Sequence, residues 1–248
     1  MAADPYGYPP FGVPKPFAEG VWIVDAEPMR AMGLALPVRM TAVRLGGGDL
    51  WLHSPVRFAP ETLRALEALG PVRHLVAPNV AHWTYLEGWQ RHLPDATTWA
   101  APKLRRRRQV RASGVRLDHD HDLGERPPEA WADEIDQAVI PGAGGFREVA
   151  FLHRPSRTLV LTDLVLNLED DRVPPATRAY ARLTGTRAPE GSTPRYLRPI
   201  LRLRRKEARA AARRLLDWAP ERVVLAHGRP FEADGARRLR RALAWLVG

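Results

Sequence analysis

Three short apolar runs constrain this chain most, because each one ends on a residue that can bind a metal or carry a proton. His74-Leu75-Val76-Ala77 breaks at Pro78-Asn79 and is followed by His82. Leu159–Thr162 ends in Asp163, and Val223–Ala226 ends in His227-Gly228. Runs this short and this apolar predict buried strands. In layered α/β proteins, ligands gather beyond the carboxyl ends of such strands. After the first run, Trp83, Leu86 and Trp89 fall at helical spacing, so Val72–Trp89 has the pattern of a strand, a polar loop and a covering helix. The chain therefore folds usefully only if these three ends meet.

The order of the remaining elements narrows the fold. Met1–Phe17 carries five prolines with aromatics between them and predicts an extended arm. Val21–Asp25 and Arg39–Leu45 predict strands, Gly46-Gly47-Gly48-Asp49 a hairpin turn, and Leu50–His53 the returning strand before Ser54-Pro55. Pro60–Leu69 predicts a helix with Leu63, Leu66 and Leu69 inward, stopped by Gly70-Pro71. A second meander follows at Glu134–Ile140, Glu148–His153 and Thr158–Thr162. Ile200–Trp218 and Ala233–Leu246 predict long helices around the strand Arg222–Ala226, while Asp170–Pro199 is irregular. Two β-rich halves, each finished by helices, predict an α/β protein built as a four-layer αββα sandwich. Residues 1–19 are expected to form the arm and residues 20–248 one domain.

Composition removes several function classes. The chain of 248 residues has no cysteine, which excludes disulfides, thiolate metal sites and a cysteine nucleophile. No apolar run reaches the roughly 20 residues needed to cross a bilayer. The N-terminus lacks the basic start and apolar core of a signal peptide, so a cytoplasmic location is the default expectation. The net charge of +10 invites a nucleic-acid reading, but the basic residues are almost all arginine, with lysine only at 15, 103 and 206. That bias is what GC-rich coding produces, and a solvated basic surface is preferred over a nucleic-acid footprint. The run Arg105–Arg108 and the His119-Asp120-His121-Asp122 tract are read the same way, as exposed segments.

The strand order, with polar residues at these ends, resembles the metallo-β-lactamase fold. More closely, Trp51-x-His53-Ser54-Pro55, Pro78-Asn79-x-x-His82 and Ser156-Arg157-Thr158-Leu159 with Asp163 resemble the DUF4336-type branch of that superfamily. The resemblance implies that Asp163 and His227 occupy metal-ligand positions. It also implies a depleted centre. The loop that carries His-x-His-x-Asp-His in active members reads Pro78-Asn79-Val80-Ala81-His82-Trp83, and the histidine expected after Pro141-Gly142 is Ala143.

His82, Asp163 and His227 can supply two imidazoles and a carboxylate, a set suited to one Zn²⁺ or Fe²⁺. Too few ligands remain for a two-metal centre. His53 and Asn79 are the candidates for orienting substrate or the metal ligands. Ser54 is adjacent to His53 and outside any Gly-x-Ser-x-Gly elbow, so a serine triad is set aside. Three functions stay open: a mono-metal hydrolase, a non-catalytic protein holding a small-molecule or anionic ligand, and, behind these, a nucleic-acid-binding protein. Substrate and oligomeric state are not written in the sequence.

Overall fold

The computed structural model describes residues 6–31 and 33–248. The expected arm therefore lies partly outside the described residues, at Met1–Pro5. The strands are β1 (Lys15–Ala18), β2 (Val21–Ala31), β3 (Leu34–Arg44), β4 (Leu50–His53), β5 (Val72–Ala77), β6 (Thr97–Ala100), β7 (Ile135–Pro141), β8 (Arg147–His153), β9 (Thr158–Leu161) and β10 (Arg222–Leu225). The helices are α1 (Pro60–Glu67), α2 (Leu86–His92), α3 (Arg108–Arg111), α4 (Pro175–Thr184), α5 (Leu197–Arg202), α6 (Arg205–Asp217), α7 (Gly235–Ala242) and α8 (Ala244–Val247).

A six-stranded sheet runs β1-β2-β3-β4-β5-β6 and a four-stranded sheet runs β10-β9-β8-β7. Within them β4–β5, β5–β6 and β9–β10 pair in parallel and the rest are antiparallel. The period of two along each strand divides the core into three layers. Val21, Val43, Trp51, Val76, Phe151 and Val224 meet between the sheets. Met40, Leu52 and Leu75 point outward, against α1, α2 and α3. Leu152, Leu159, Leu161 and Leu225 point the other way, against α5 to α8. This is the expected αββα sandwich.

The elements differ from expectation at several places. The stretch Asp170–Pro199, expected to be irregular, contains α4, which starts at Pro175 and buries Thr177, Ala181 and Thr184. β2 and β3 are longer than predicted, extending as a paired ribbon to Ala31 and Leu34. Pro28 and Pro37 argue against strand in the sequence, yet both fall where the register shifts between Ala26 and Met29. A bulge accommodates the missing donors. The predicted helix Ile200–Trp218 is two helices, α5 and α6, broken at Leu203-Arg204. Leu201 and Ala208 are seven residues apart, so the apolar face continues across the break and periodicity does not reveal it. The C-terminal helix is divided in the same way into α7 and α8.

The loops after β4, β5, β9 and β10 converge at one edge of the sandwich. The ribbon β2–β3 overhangs that edge, and α4 docks on it through Thr177, whose Oγ1 accepts from Ala35 N at 3.2 Å and donates to Ala35 O at 3.0 Å. Arg39 of β3 reaches across to the second sheet, donating to Leu225 O at 2.9 Å and Gly228 O at 2.6 Å.

Candidate metal centre

The loop after β5 is shaped by Asn79, which is fully buried. Its Oδ1 accepts from the backbone N–H of Ala81 at 2.8 Å and of His82 at 3.0 Å. This turn of an Asn side chain onto the following backbone is a locally encoded loop shape. The Nδ2 group donates to Thr162 Oγ1 at 2.9 Å and to Asp163 Oδ2 at 2.7 Å. One amide thus sets the direction of the His82 loop and the rotation of the Asp163 carboxylate, tying one sheet to the other.

Three atoms meet at the centre. His82 Nε2 lies 3.4 Å from Asp163 Oδ1, His227 Nε2 lies 3.3 Å from the same oxygen, and the two Nε2 atoms are 3.3 Å apart. Among the described residues this is the one group of His, Asp or Glu side chains with metal-ligand spacing. The opposite ring nitrogens are engaged elsewhere. His227 Nδ1 is 2.8 Å from Pro37 O, which can only accept, so Nδ1 keeps a proton and Nε2 is the nitrogen that can either donate to Asp163 or, once deprotonated, offer a lone pair to an ion. His82 Nδ1 is 2.5 Å from Ser54 Oγ.

The donor set fits an ion. Zn–N and Zn–O bonds of about 2.0–2.1 Å in a tetrahedron require ligand atoms about 3.3–3.4 Å apart. The three atoms therefore outline one face of such a tetrahedron, and the remaining position opens to a cavity of about 320 Å³ lined by Ser54, His82, Asp163 and His227 with apolar walls. Burial alone would raise the Asp163 carboxyl. The charge of His82 and hydrogen bonds from His227 and His82 instead hold it well below the usual carboxylate range. Burial depresses His227, but the hydrogen bond and charge of Asp163 outweigh it and leave the imidazole raised.

Glu148 supports the centre from beneath and was not singled out in the sequence. It is fully buried and accepts three backbone N–H bonds at 2.9 Å, from Thr162, Asp163 and Leu164. Burial, then the neighbouring Asp163 charge, raise its carboxyl to about 7. The signal available was a charged residue opening an otherwise apolar strand, Glu148-Val149-Ala150-Phe151-Leu152.

The other candidates lie elsewhere or act differently. His53 follows Trp51 on the inter-sheet face of β4, is 1% exposed and does not line the cavity. Its ring stacks on Trp51 at 5.6 Å and meets Phe151 edge-on, and its Nε2 has no partner among the described residues. Burial, and then the charge of His82, push it well below its ordinary value, so it is a neutral core imidazole. Ser54, set aside in the sequence, lies directly beside His82. Its φ of 55° turns the chain out of β4 and aims the hydroxyl into the centre. The His119–His121 turn is exposed, with 75% of the His119 side chain in solvent.

A family described as "Domain of unknown function (DUF4336)" matches residues 18–195. The chain belongs to the DUF4336 family. The matched span of this DUF4336 chain contains Ser54, Asn79, His82, Glu148 and Asp163, while His227 lies beyond it. Comparison with curated proteins returned no significant match. Solved structures share the fold at low identity. The metallo-beta-lactamase from Pontibacter korlensis is 15% identical, with a TM-score of 0.62 over 94% of this chain and 97% of that one. The metallo-beta-lactamase FIM-1 from Pseudomonas aeruginosa, solved in a mono-zinc form, is 16% identical, with a TM-score of 0.60 over 95% and 94%. The Flv1 flavodiiron core from Synechocystis sp. PCC6803 is 12% identical, with a TM-score of 0.63 over 94% and 60%. The DUF4336 chain thus has the metallo-β-lactamase fold.

Proposed function

We propose that this protein is a mono-metal hydrolase. The observation that carries the reading is the triangle of His82 Nε2, His227 Nε2 and Asp163 Oδ1, with edges of 3.3–3.4 Å and one side open to a cavity. Three protein donors and an open position are what separate a catalytic zinc site from a closed structural one. When bound, the ion supplies Lewis acidity toward a carbonyl and makes water a competent nucleophile near neutral pH. Every other part of the machinery belongs to the chain. His82, His227 and Asp163 hold the ion, and among the described residues no further group is placed for a second one. Pro37 O fixes the His227 tautomer, and Ser54 Oγ accepts from His82 Nδ1–H when Nε2 is a ligand. Asn79 fixes the second carboxylate oxygen of Asp163, and Glu148 holds the backbone that carries it. Apolar walls keep bulk water away from the reacting group.

Metal analysis of freshly purified protein tests this. About one zinc or iron per chain is expected, with stoichiometry collapsing in His82→Ala and Asp163→Ala and metal-dependent hydrolysis of an activated ester lost with it. Failure of the wild type to take up zinc at micromolar free concentration would remove the reading. Uptake without hydrolysis would leave a metal-binding protein on this fold.

A further inference from the structure

The cavity over the metal triangle has a distinctive charge pattern. Among the described residues its charged or titratable lining is the triangle itself together with Tyr85 and Tyr196, with no lysine or arginine. The walls are Met29, Leu36, Val38, Phe146, Leu197 and Ile200. Away from the triangle the walls offer no side-chain cation to hold a phosphate or carboxylate, although the molecule has an excess of arginine elsewhere. The part of a ligand that lies against those walls is therefore uncharged.

A second, larger cavity of about 780 Å³ adjoins the first. The two share Met29, Val38, Val56 and Tyr85 as walls. Beyond that wall the second cavity runs between Phe11–Val13 of the arm and the Phe58–Ala65 region that includes the start of α1. Its inner surface is apolar at Phe11, Pro28, Phe58 and Ala65, and its charged residues Glu27, Arg30, Arg57 and Glu61 are exposed at the rim. Each cavity has the size of a small-molecule site. Met29, flexible and unbranched, is suited to moving aside for a ligand that fills both.

We infer that the substrate is an uncharged ester of a medium-length to long unbranched acyl chain, its carbonyl at the metal triangle and its chain passing Met29 into the second cavity. This deepens the hydrolase reading and rests on it for the reaction, while the chain site stands on the cavities alone. The reaction balances as hydrolysis: water adds to the acyl carbon, the ester C–O bond breaks, the alcohol leaves with one of water's protons, and the other passes to solvent as the carboxylate forms. Apolar burial of the chain contributes up to about fourfold in affinity per buried methylene. Part of that binding energy appears as faster turnover, because the anchored chain positions the carbonyl.

The test uses zinc-loaded full-length protein, p-nitrophenyl esters from two to twelve carbons, and an uncharged dansyl dodecyl amide as a non-hydrolysed binding probe. In the wild type, kcat/KM should rise at least tenfold from the two-carbon to the ten-carbon ester. Ala65→Trp, which fills only the second cavity, should flatten that rise, leave two-carbon hydrolysis unchanged and weaken probe binding at least tenfold. Ala59→Phe provides a second filling variant, and unchanged melting of either confirms the fold. Probe binding equal in wild type and filled variants, or hydrolysis independent of chain length, would overturn the inference and leave the hydrolase reading standing. Probe binding that is weakened in the variants, with no ester hydrolysed by the wild type, would sink the hydrolase reading and keep the chain site.

Discussion

At the scale of single residues, the proposed centre depends on side chains that hold its candidate ligands as much as on those ligands. Ser54 and His53 are neighbours in sequence and differ completely in role. The period of two on β4 sends His53 between the sheets beside Trp51, and the left-handed turn at 54 releases the next side chain into the site. Removing the Ser54 hydroxyl frees the His82 ring to choose its tautomer. Ser54→Ala should therefore weaken zinc affinity by about 10–100-fold, as loss of such outer partners does elsewhere. His53→Phe replaces a buried, unpartnered nitrogen with carbon of similar shape, and should leave zinc affinity unchanged with little change in melting temperature. Competition titration with a chromophoric chelator reads both. His82, Asp163 and His227 were legible because each ends an apolar run. Glu148 was not, because a lone glutamate at a strand start looks like a solvated edge until β9 is laid against it.

At the scale of elements, the long ribbon β2–β3 does work that its sequence hides. Arg39 is buried and pairs with Asp25 at 2.7 Å, while Lys15 of β1 reaches the other Asp25 oxygen at 2.6 Å. The same guanidinium binds Leu225 O and Gly228 O, so it clamps the turn that carries His227. Gly228 itself has φ +92°, and a Cβ there would sit 2.1 Å from Asn167 O. Gly228 is thus required by close backbone approach. Arg39→Met should cost about 3 kcal/mol, since Asp25 keeps only the half-exposed Lys15 and two carbonyls lose their donor. Urea unfolding measures the loss, and reduced zinc affinity in the same variant would show that the clamp positions His227. In the sequence, Arg39 is one arginine among many on an alternating strand, and nothing local distinguishes it from a surface residue.

For the molecule as a whole, charge and titration are set by the layering. Arg105–Arg108 flanks the helices over the six-stranded sheet, and α6 covers the four-stranded sheet. Much of the arginine excess is spent on neighbours: Arg182 and Arg187 pair with Asp170, Arg198 and Arg202 lie over Trp245, and Arg238 lies over Phe231. Burial in the sandwich also depresses His53, His74 and His153. Such a histidine takes up its proton more readily in the unfolded chain. Its contribution to stability is complete above the ordinary value of 6.5 and is lost as pH falls from there through the folded-state value. His153 donates to Ser156 Oγ at 2.7 Å, and glutamine can replace that donor without titrating. His153→Gln should flatten the fall in unfolding free energy between pH 7 and 5, a slope of at most about 1.4 kcal/mol per pH unit for one site. Urea titrations of both proteins across that range measure the difference.

The sequence by itself determined the order of the strands, the two β-rich halves and the three strand ends followed by His82, Asp163 and His227. These follow from local periodicity and turn residues, which act over a few positions. Only the tertiary structure decided that His82, Asp163 and His227 come within 3.4 Å of one another, that Ser54 joins them and His53 does not, and that Glu148 and Arg39 brace them. Those facts depend on which strands lie side by side and which face each residue takes. Both are set by burial of three apolar layers across the whole chain, and no short window of sequence contains them.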